Sequence, residues 1–204
     1  MANTADVWCW QYASEEDRAY HFTEWGVPVH DDTQMFEHLC LEGLQCGLSW
    51  NYVLQRRDLY RKCFHGFDID AVAAMGDAEV EALLEVPGIL RNRAKLHAIA
   101  NNARAAQRVR AEFGTFSDYF WKWSGGKTIL YMGHQKGNIP ASNGLSARIS
   151  SDLKKRGFKY VGPVNVYAHL QSCGIVCDHN EGCPRYTFIC ENYPTVRKRR
   201  DDEK

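Results

Sequence analysis

The sequence predicts an all-α protein with a helix–hairpin–helix arrangement. Three observations carry this reading. Apolar residues recur at helical spacing through most of the chain, a Pro-Gly turn divides two such stretches, and no convincing run alternates apolar and polar residues as a half-buried strand would.

The elements follow in order. From Asp32 to Cys46 the residues Met35, Phe36, Leu39 and Cys46 recur on one face, and Gly47 closes the run. Ser49 is placed to cap a second helix, Trp50 to Cys63, with Trp50, Val53 and Leu54 on one face. Asp70 and Asp77 stand where two short helices would begin. The turn Val86-Pro87-Gly88-Ile89-Leu90-Arg91-Asn92 then precedes a long stripe of Leu96, Ile99, Ala103, Ala106 and Val109. Ser117 is a candidate cap for a short aromatic helix. Residues 124–144, rich in Gly, Lys, Asn and Ser, read as a mobile loop. Helices are expected over Ser146–Arg156, stopped by Gly157, and from Pro163 to Gly174, with proline suited to the first helical turn. Residues 1–190 form a single domain on this reading, and 191–204 a flexible charged tail.

At 204 residues with 45% hydrophobic and 25% charged composition, the chain has the balance of a folded globule and not of a disordered one. No stretch approaches the roughly 20 apolar residues of a membrane helix, so no membrane is expected among its partners. The N-terminus shows neither the basic nor the apolar region of a secretory signal. Lys plus Arg and Asp plus Glu both number 25, which excludes attraction of polyanions by net charge and leaves local basic patches. Eight cysteines without an export signal point to thiols or metal ligands. Cys40, Cys46 and Cys63 read as buried thiols in helices.

Three constellations could carry chemistry. Glu42 falls on the apolar stripe with Met35, Leu39 and Cys46, where a carboxylate is costly unless it is paired or meets a cation. Tyr20, Trp25 and Trp50 flank it, and electron-rich rings beside a carboxylate suit a flat cationic ligand, unless they are simply a Trp-rich core. His179 and Cys183 stand four apart, and Cys9 and His21 form a second pair. Two Cys and two His make a closed tetrahedral set for structural zinc, with two alternatives: a local set drawn from Cys173, Cys177, His179, Cys183 and Cys190, or unmetallated thiols. Finally, a hairpin at Gly88 ending at a helix N-terminus offers backbone amides to a phosphate, with Arg91, Arg93 and Lys95 beside it. A second cluster comprises Lys154, Lys155, Arg156 and Lys159. Solvated faces explain such clusters equally well; together they suggest a local contact with a nucleic-acid backbone.

The stretches Tyr20–Pro28, Phe36–Trp50, Gly88–Lys95, Leu153–Gly162 and Asp178–Cys183, in this order over residues 8 to 184, resemble the 3-methyladenine DNA glycosylase I family of the helix–hairpin–helix glycosylase group. The resemblance implies that one structural Zn²⁺ is held by Cys9, His21, His179 and Cys183, joining the N- and C-terminal segments. It implies that Glu42 is the catalytic residue, and that Tyr20, Glu42, Trp50 and an aromatic of the Trp8/Trp10 pair, taken as Trp10, bind the base. Leu48 fills the gap left by an extruded base, and Gly88 holds a DNA phosphate. Cys177 stands where the family usually has Asn, so a zinc set including it stays open.

The implied function is excision of 3-methyladenine from alkylated double-stranded DNA by a monomeric hydrolase, leaving an abasic site. The competing reading is a catalytically silent, zinc-stabilised protein that binds damaged DNA. Many related glycosylases carry an essential aspartate about two dozen residues beyond the hairpin; here no Asp or Glu lies between Val86 and Ala111, as the resemblance leads one to expect. The implied location is the nucleoid or the nucleus, not the exterior.

Overall fold

The computed structural model describes Cys9, Tyr12 and residues 14–199. The chain is mainly helical. In order, the elements are α1 Glu15–Thr23, α2 Asp32–Gln45, α3 Trp50–Leu54, α4 Arg57–Cys63, α5 Ile69–Ala74, α6 Asp77–Ala82, α7 Arg93–Phe113, α8 Phe116–Trp121, β1 Thr128–Tyr131, α9 Gly144–Lys155, α10 Pro163–Ser172, α11 Pro184–Asn192 and β2 Thr195–Lys198. No described helix is long and apolar enough to cross a membrane.

Helix α2 runs through the middle of the molecule, and nine of its fourteen residues are buried. Two of those nine are glutamates that meet opposite fates. Glu37 is matched by guanidinium groups from α4: Arg57 donates to it at 2.8 Å and Arg61 at 2.7 Å, while Arg57 also bonds Glu24. Such a network satisfies the charges it buries. Glu42 has no comparable cation.

Asp31 starts α2 by accepting from the Gln34 amide, and the Asp32 carboxylate accepts from the Phe116 and Ser117 amides at the start of α8. At its other end α2 has no basic residue of its own. The Lys95 ammonium donates to the carbonyls of Leu44 and Cys46 at 2.7 and 2.6 Å, filling the place of the missing helical donors. Gly47, at φ +79°, then reverses the chain toward α3. The stripe expected on α7 is buried throughout, and Asn92 caps that helix by accepting from the Lys95 amide.

Several boundaries differ from expectation. The helix foreseen from Trp50 to Cys63 breaks at Gln55–Arg56, which lets α4 present Arg57 and Arg61 to Glu37. Asp68, not Asp70, caps α5, and Gly76 precedes α6. Thr115, not Ser117, caps α8. Asn143 and Ser146 form a reciprocal capping box that starts α9 two residues early. Cys40 is buried as expected, but Cys63 is half-buried and Cys46 is exposed, because the chain has left the core by that point.

The largest correction concerns the expected mobile loop and tail. Thr128–Tyr131 is buried in full, and it pairs in parallel with Thr195–Lys198, in the register Thr128↔Thr195 to Tyr131↔Lys198. The fold therefore continues to Lys198, beyond the expected domain limit at residue 190. α11 also lies across that limit.

Candidate active site and metal centre

A cavity of about 360 Å³, within the range of small-molecule sites, opens between α1, α2, α3 and α10. Its lining includes Tyr20, Trp25, Glu42, Trp50, Asn51 and Gln171. Tyr20 reaches it from α1, whose first turn is capped by Ser14. The Ser14 hydroxyl also bonds Asn51 of α3 at 2.8 Å and so ties the two walls together. Trp50 stands at the start of α3, where the Ser49 side chain accepts from the Tyr52 amide. The rings of Tyr20 and Trp50 lie 4.9 Å apart at 44°, an open angle between two aromatic faces.

Glu42 is 6% exposed, and burial alone pushes its carboxyl up to about 8. One turn earlier on α2, His38 is also buried; burial and then the charges of Arg57 and Arg61 push it down to about 3. Both ring nitrogens of His38 lack a hydrogen-bond partner among the described residues. A neutral imidazole gives Glu42 no counter-ion. The Tyr20 phenol is held well above its usual range by burial and then by the Glu42 charge. At neutral pH the cavity thus holds a carboxyl group that has kept its proton for want of a cation. A positively charged guest would reverse that balance, and the aromatic faces favour the same guest.

Next to this cavity, the ligand atoms of Cys9, His21, His179 and Cys183 all lie within 4.8 Å of one another. Sulfur-to-nitrogen separations are 3.5 Å for Cys9–His179, 3.7 Å for Cys183–His179 and 3.8 Å for Cys183–His21. Each histidine is oriented by its far nitrogen, a recurring feature of metal ligands. His179 Nε2 donates to the Trp25 carbonyl at 3.0 Å, leaving Nδ1 free to face the sulfurs. His21 Nδ1 pairs with the Tyr12 hydroxyl at 2.9 Å, leaving Nε2. Gly26 permits this close approach, since a Cβ there would stand 2.8 Å from His179 Nε2. Hydrogen bonds from Cys9, and then from the two histidines, pull the Cys183 thiol far down. The donor set fits a four-coordinate cation.

The alternative sets do not assemble. Cys177 is buried in an apolar cluster with Leu130 and Ile189, and Cys173 packs in the main core beside His169. The Trp25 ring lies edge-on to His179 at 4.5 Å and also lines the cavity, so the cluster and the cavity share a wall.

Of the remaining expected residues, Leu48 is 36% exposed in the loop between α2 and α3. Gly88 is exposed at φ +84° in the turn before α7. Arg91 is exposed, and Arg93 pairs with Glu81 at 2.9 Å while remaining largely in solvent. Lys95 is the exception: it is buried against the end of α2, so its charge holds the Leu48 loop and does not face outward. In the second basic cluster, Arg156 is committed to Glu112 and Asp152. Trp8 and Trp10 lie outside the described residues. Sequence reasoning did not single out Gln171 or Asn51. Both sit in the lining beside Glu42, brought there by packing between helices and not by any local pattern.

Comparison with known proteins agrees with this geometry. The sequence matches the family described as methyladenine glycosylase over residues 8–186. It is 45% identical over 168 residues to DNA-3-methyladenine glycosylase 1 of Escherichia coli strain K12, covering 82% of this chain and 90% of that protein. It is 41% identical over 165 residues to DNA-3-methyladenine glycosylase of Haemophilus influenzae, covering 81% and 89%. Among solved structures, a 3-methyladenine DNA glycosylase I superposes with a TM-score of 0.81 at 43% identity, over 86% of this chain and 96% of that one. A 3-methyladenine DNA glycosylase I variant in complex with 3-methyladenine gives a TM-score of 0.81 at 30% identity, over 85% and 93%.

Proposed function

Because this chain belongs to the methyladenine glycosylase family, we propose that it excises 3-methyladenine from alkylated double-stranded DNA by hydrolysing the N-glycosidic bond. The observation that carries the proposal is Glu42, buried with no cation beside it in a cavity walled by Tyr20 and Trp50.

An enzyme that acts on a base must first take it out of the stack, at a cost of a few kcal/mol that is smallest for a damaged nucleotide. A 3-methyladenine nucleotide is cationic, so its glycosidic bond is already weakened. Within the cavity its ring lies against Tyr20 and Trp50, and its positive charge lowers the proton affinity of Glu42, whose proton is released to water. The resulting carboxylate accepts hydrogen bonds from the base edge and stabilises positive charge developing on the sugar as the bond breaks. Normal adenine brings no charge and leaves Glu42 protonated, so it forgoes both gains. With no acidic residue between Val86 and Ala111, hydrolysis relies on the leaving ability of the charged base, and the product is an abasic site without strand cleavage.

On the DNA side, Leu48 fills the vacated stack and the Gly88 turn seats a phosphate through backbone amides, as a helix N-terminus does. Arg91 and Arg93 add charge there. The helix–turn–helix from α6 to α7 then serves as the DNA-binding hairpin. The cation held by Cys9, His21, His179 and Cys183 is zinc on this reading, since Zn–S and Zn–N bonds of about 2.3 and 2.0–2.1 Å imply tetrahedral S···N separations near 3.5 Å. It is structural: all four positions are taken by side chains, and none is open to substrate. It would fix Trp25 and α1.

The test is release of free 3-methyladenine from methylated duplex DNA by the wild type and by Glu42→Gln. Release by the wild type, lowered at least tenfold by the substitution, is the expected result. Tight binding of damaged DNA without any base release would overturn the enzymatic reading.

A further inference from the structure

Gln171, near the end of α10, lines the cavity that holds Glu42, and the structure fixes which end of its amide faces inward. Its Nε2 donates to Asp178 Oδ2 at 2.8 Å. The same carboxylate accepts from the Tyr167 hydroxyl at 2.6 Å and meets His134 Nδ1 at 2.9 Å, with its side chain fully buried. A carboxylate offers only acceptors, so the amide nitrogen of Gln171 must point to it and the carbonyl oxygen away. That Oε1 has no hydrogen-bond partner among the described residues and is not sealed in the protein interior. Glu42 and Gln171 therefore present two acceptors to one cavity from two helices.

We infer that Gln171 is a specificity-determining residue that selects alkylated adenine over alkylated guanine, its polarity locked by Asp178. The inference rests on the base-excision reading given above and sharpens its substrate class. Adenine carries an amino group at position 6, with two hydrogens to donate, whereas guanine carries a carbonyl oxygen there. Two acceptors at the cavity wall satisfy the two donors of the amino group. The guanine oxygen meets acceptor against acceptor and loses its water without replacement, an arrangement by which a polar site rejects the wrong ligand strongly.

The test compares release of 3-methyladenine and 3-methylguanine from the same methylated duplex by the wild type, Gln171→Leu, Gln171→Met and Asp178→Asn. Melting temperature and metal content confirm that each variant is folded. The two Gln171 variants are expected to lower kcat/KM for 3-methyladenine on the order of 10- to 100-fold while changing 3-methylguanine little, the range of one hydrogen bond to a charged group. Asp178→Asn allows the Gln171 amide to turn over, and is expected to raise the 3-methylguanine share of released base. Equal loss on both bases, or loss on neither, would overturn the inference while leaving the glycosylase reading intact. If the folded wild type releases no base, the glycosylase reading fails instead. Calorimetric binding of free 3-methyladenine and 3-methylguanine then decides the role of Gln171 separately: a preference for the former that Gln171→Leu abolishes supports it, and unchanged binding of both refutes it.

Discussion

Replacing Glu42 by glutamine should make the protein more stable at alkaline pH and little different at acid pH. The unfolded chain ionises Glu42 near the ordinary value of 4.5, whereas burial holds the folded value at about 8. Between those limits the folded state keeps a proton that the unfolded state has lost. Stability must therefore fall as pH rises through the window, and the loss levels off above about 8. Each pH unit is worth 1.36 kcal/mol, so a gap of about 3.5 amounts to roughly 5 kcal/mol in full. Glutamine has nearly the same shape and no proton to lose, so the variant escapes this penalty. Urea unfolding of both proteins at pH 5.5, 6.5, 7.5 and 8.5 gives the difference directly, and effects common to both, including those of the Cys/His cluster, cancel. The expected difference grows by about 1.4 kcal/mol per pH unit up to pH 8. A difference that is flat across this range would show that Glu42 is not a neutral, desolvated acid in the folded chain, and the charge-matching mechanism would fall with it.

The pH profile of base release should follow the same group: kcat/KM rises with pH as the free enzyme's Glu42 ionises, is half-maximal near pH 8 and levels off above it, while the Glu42→Gln variant loses this dependence. Lys95→Met leaves the carbonyls of Leu44 and Cys46 without their donor; it should cost on the order of 1–3 kcal/mol in chemical denaturation and weaken binding to DNA containing an abasic site by loosening the Leu48 loop. Arg57→Met takes from Glu24 its guanidinium partner and leaves Glu37 with Arg61 alone; it should destabilise by on the order of 1–3 kcal/mol, readable as a lowered urea midpoint. Cys183→Ser should abolish the roughly one equivalent of zinc expected by elemental analysis and lower the melting temperature.

The sequence makes part of this site legible and hides the rest, for physical reasons. Glu42 stands out because a carboxylate on an apolar helical stripe contradicts its surroundings, and the structure buries it. Glu37 is as deeply buried on the same helix, but it lies off that stripe, and its partners Arg57 and Arg61 belong to another helix. Lys95 reads as the third charge of a basic run, yet its neighbours Leu96 and Ile99 face the core and carry its stem inward. The strand Thr128–Tyr131 shows no alternation because it is buried on both sides, and its partner, Thr195–Lys198, lies far from it in sequence. Gln171 resembles any polar residue near a helix end until the chain folds back and places Asp178 beside it. Pattern within one element is visible in a sequence; pairing across elements is visible only where a familiar set of residues, such as the four Cys/His ligands, announces it.

The four-residue Cys/His cluster sets an order on biosynthesis. Tyr20, His21 and Trp25 leave the ribosome early, but His179 and Cys183, which fasten that segment, are translated near the end. A nascent chain can assemble the central helix and its charged network while one wall of the cavity still waits for its anchor. Trp25, which lines the cavity beside Glu42, can meet His179 only after residues 179–183 have been made, so a product truncated before them would lack that contact.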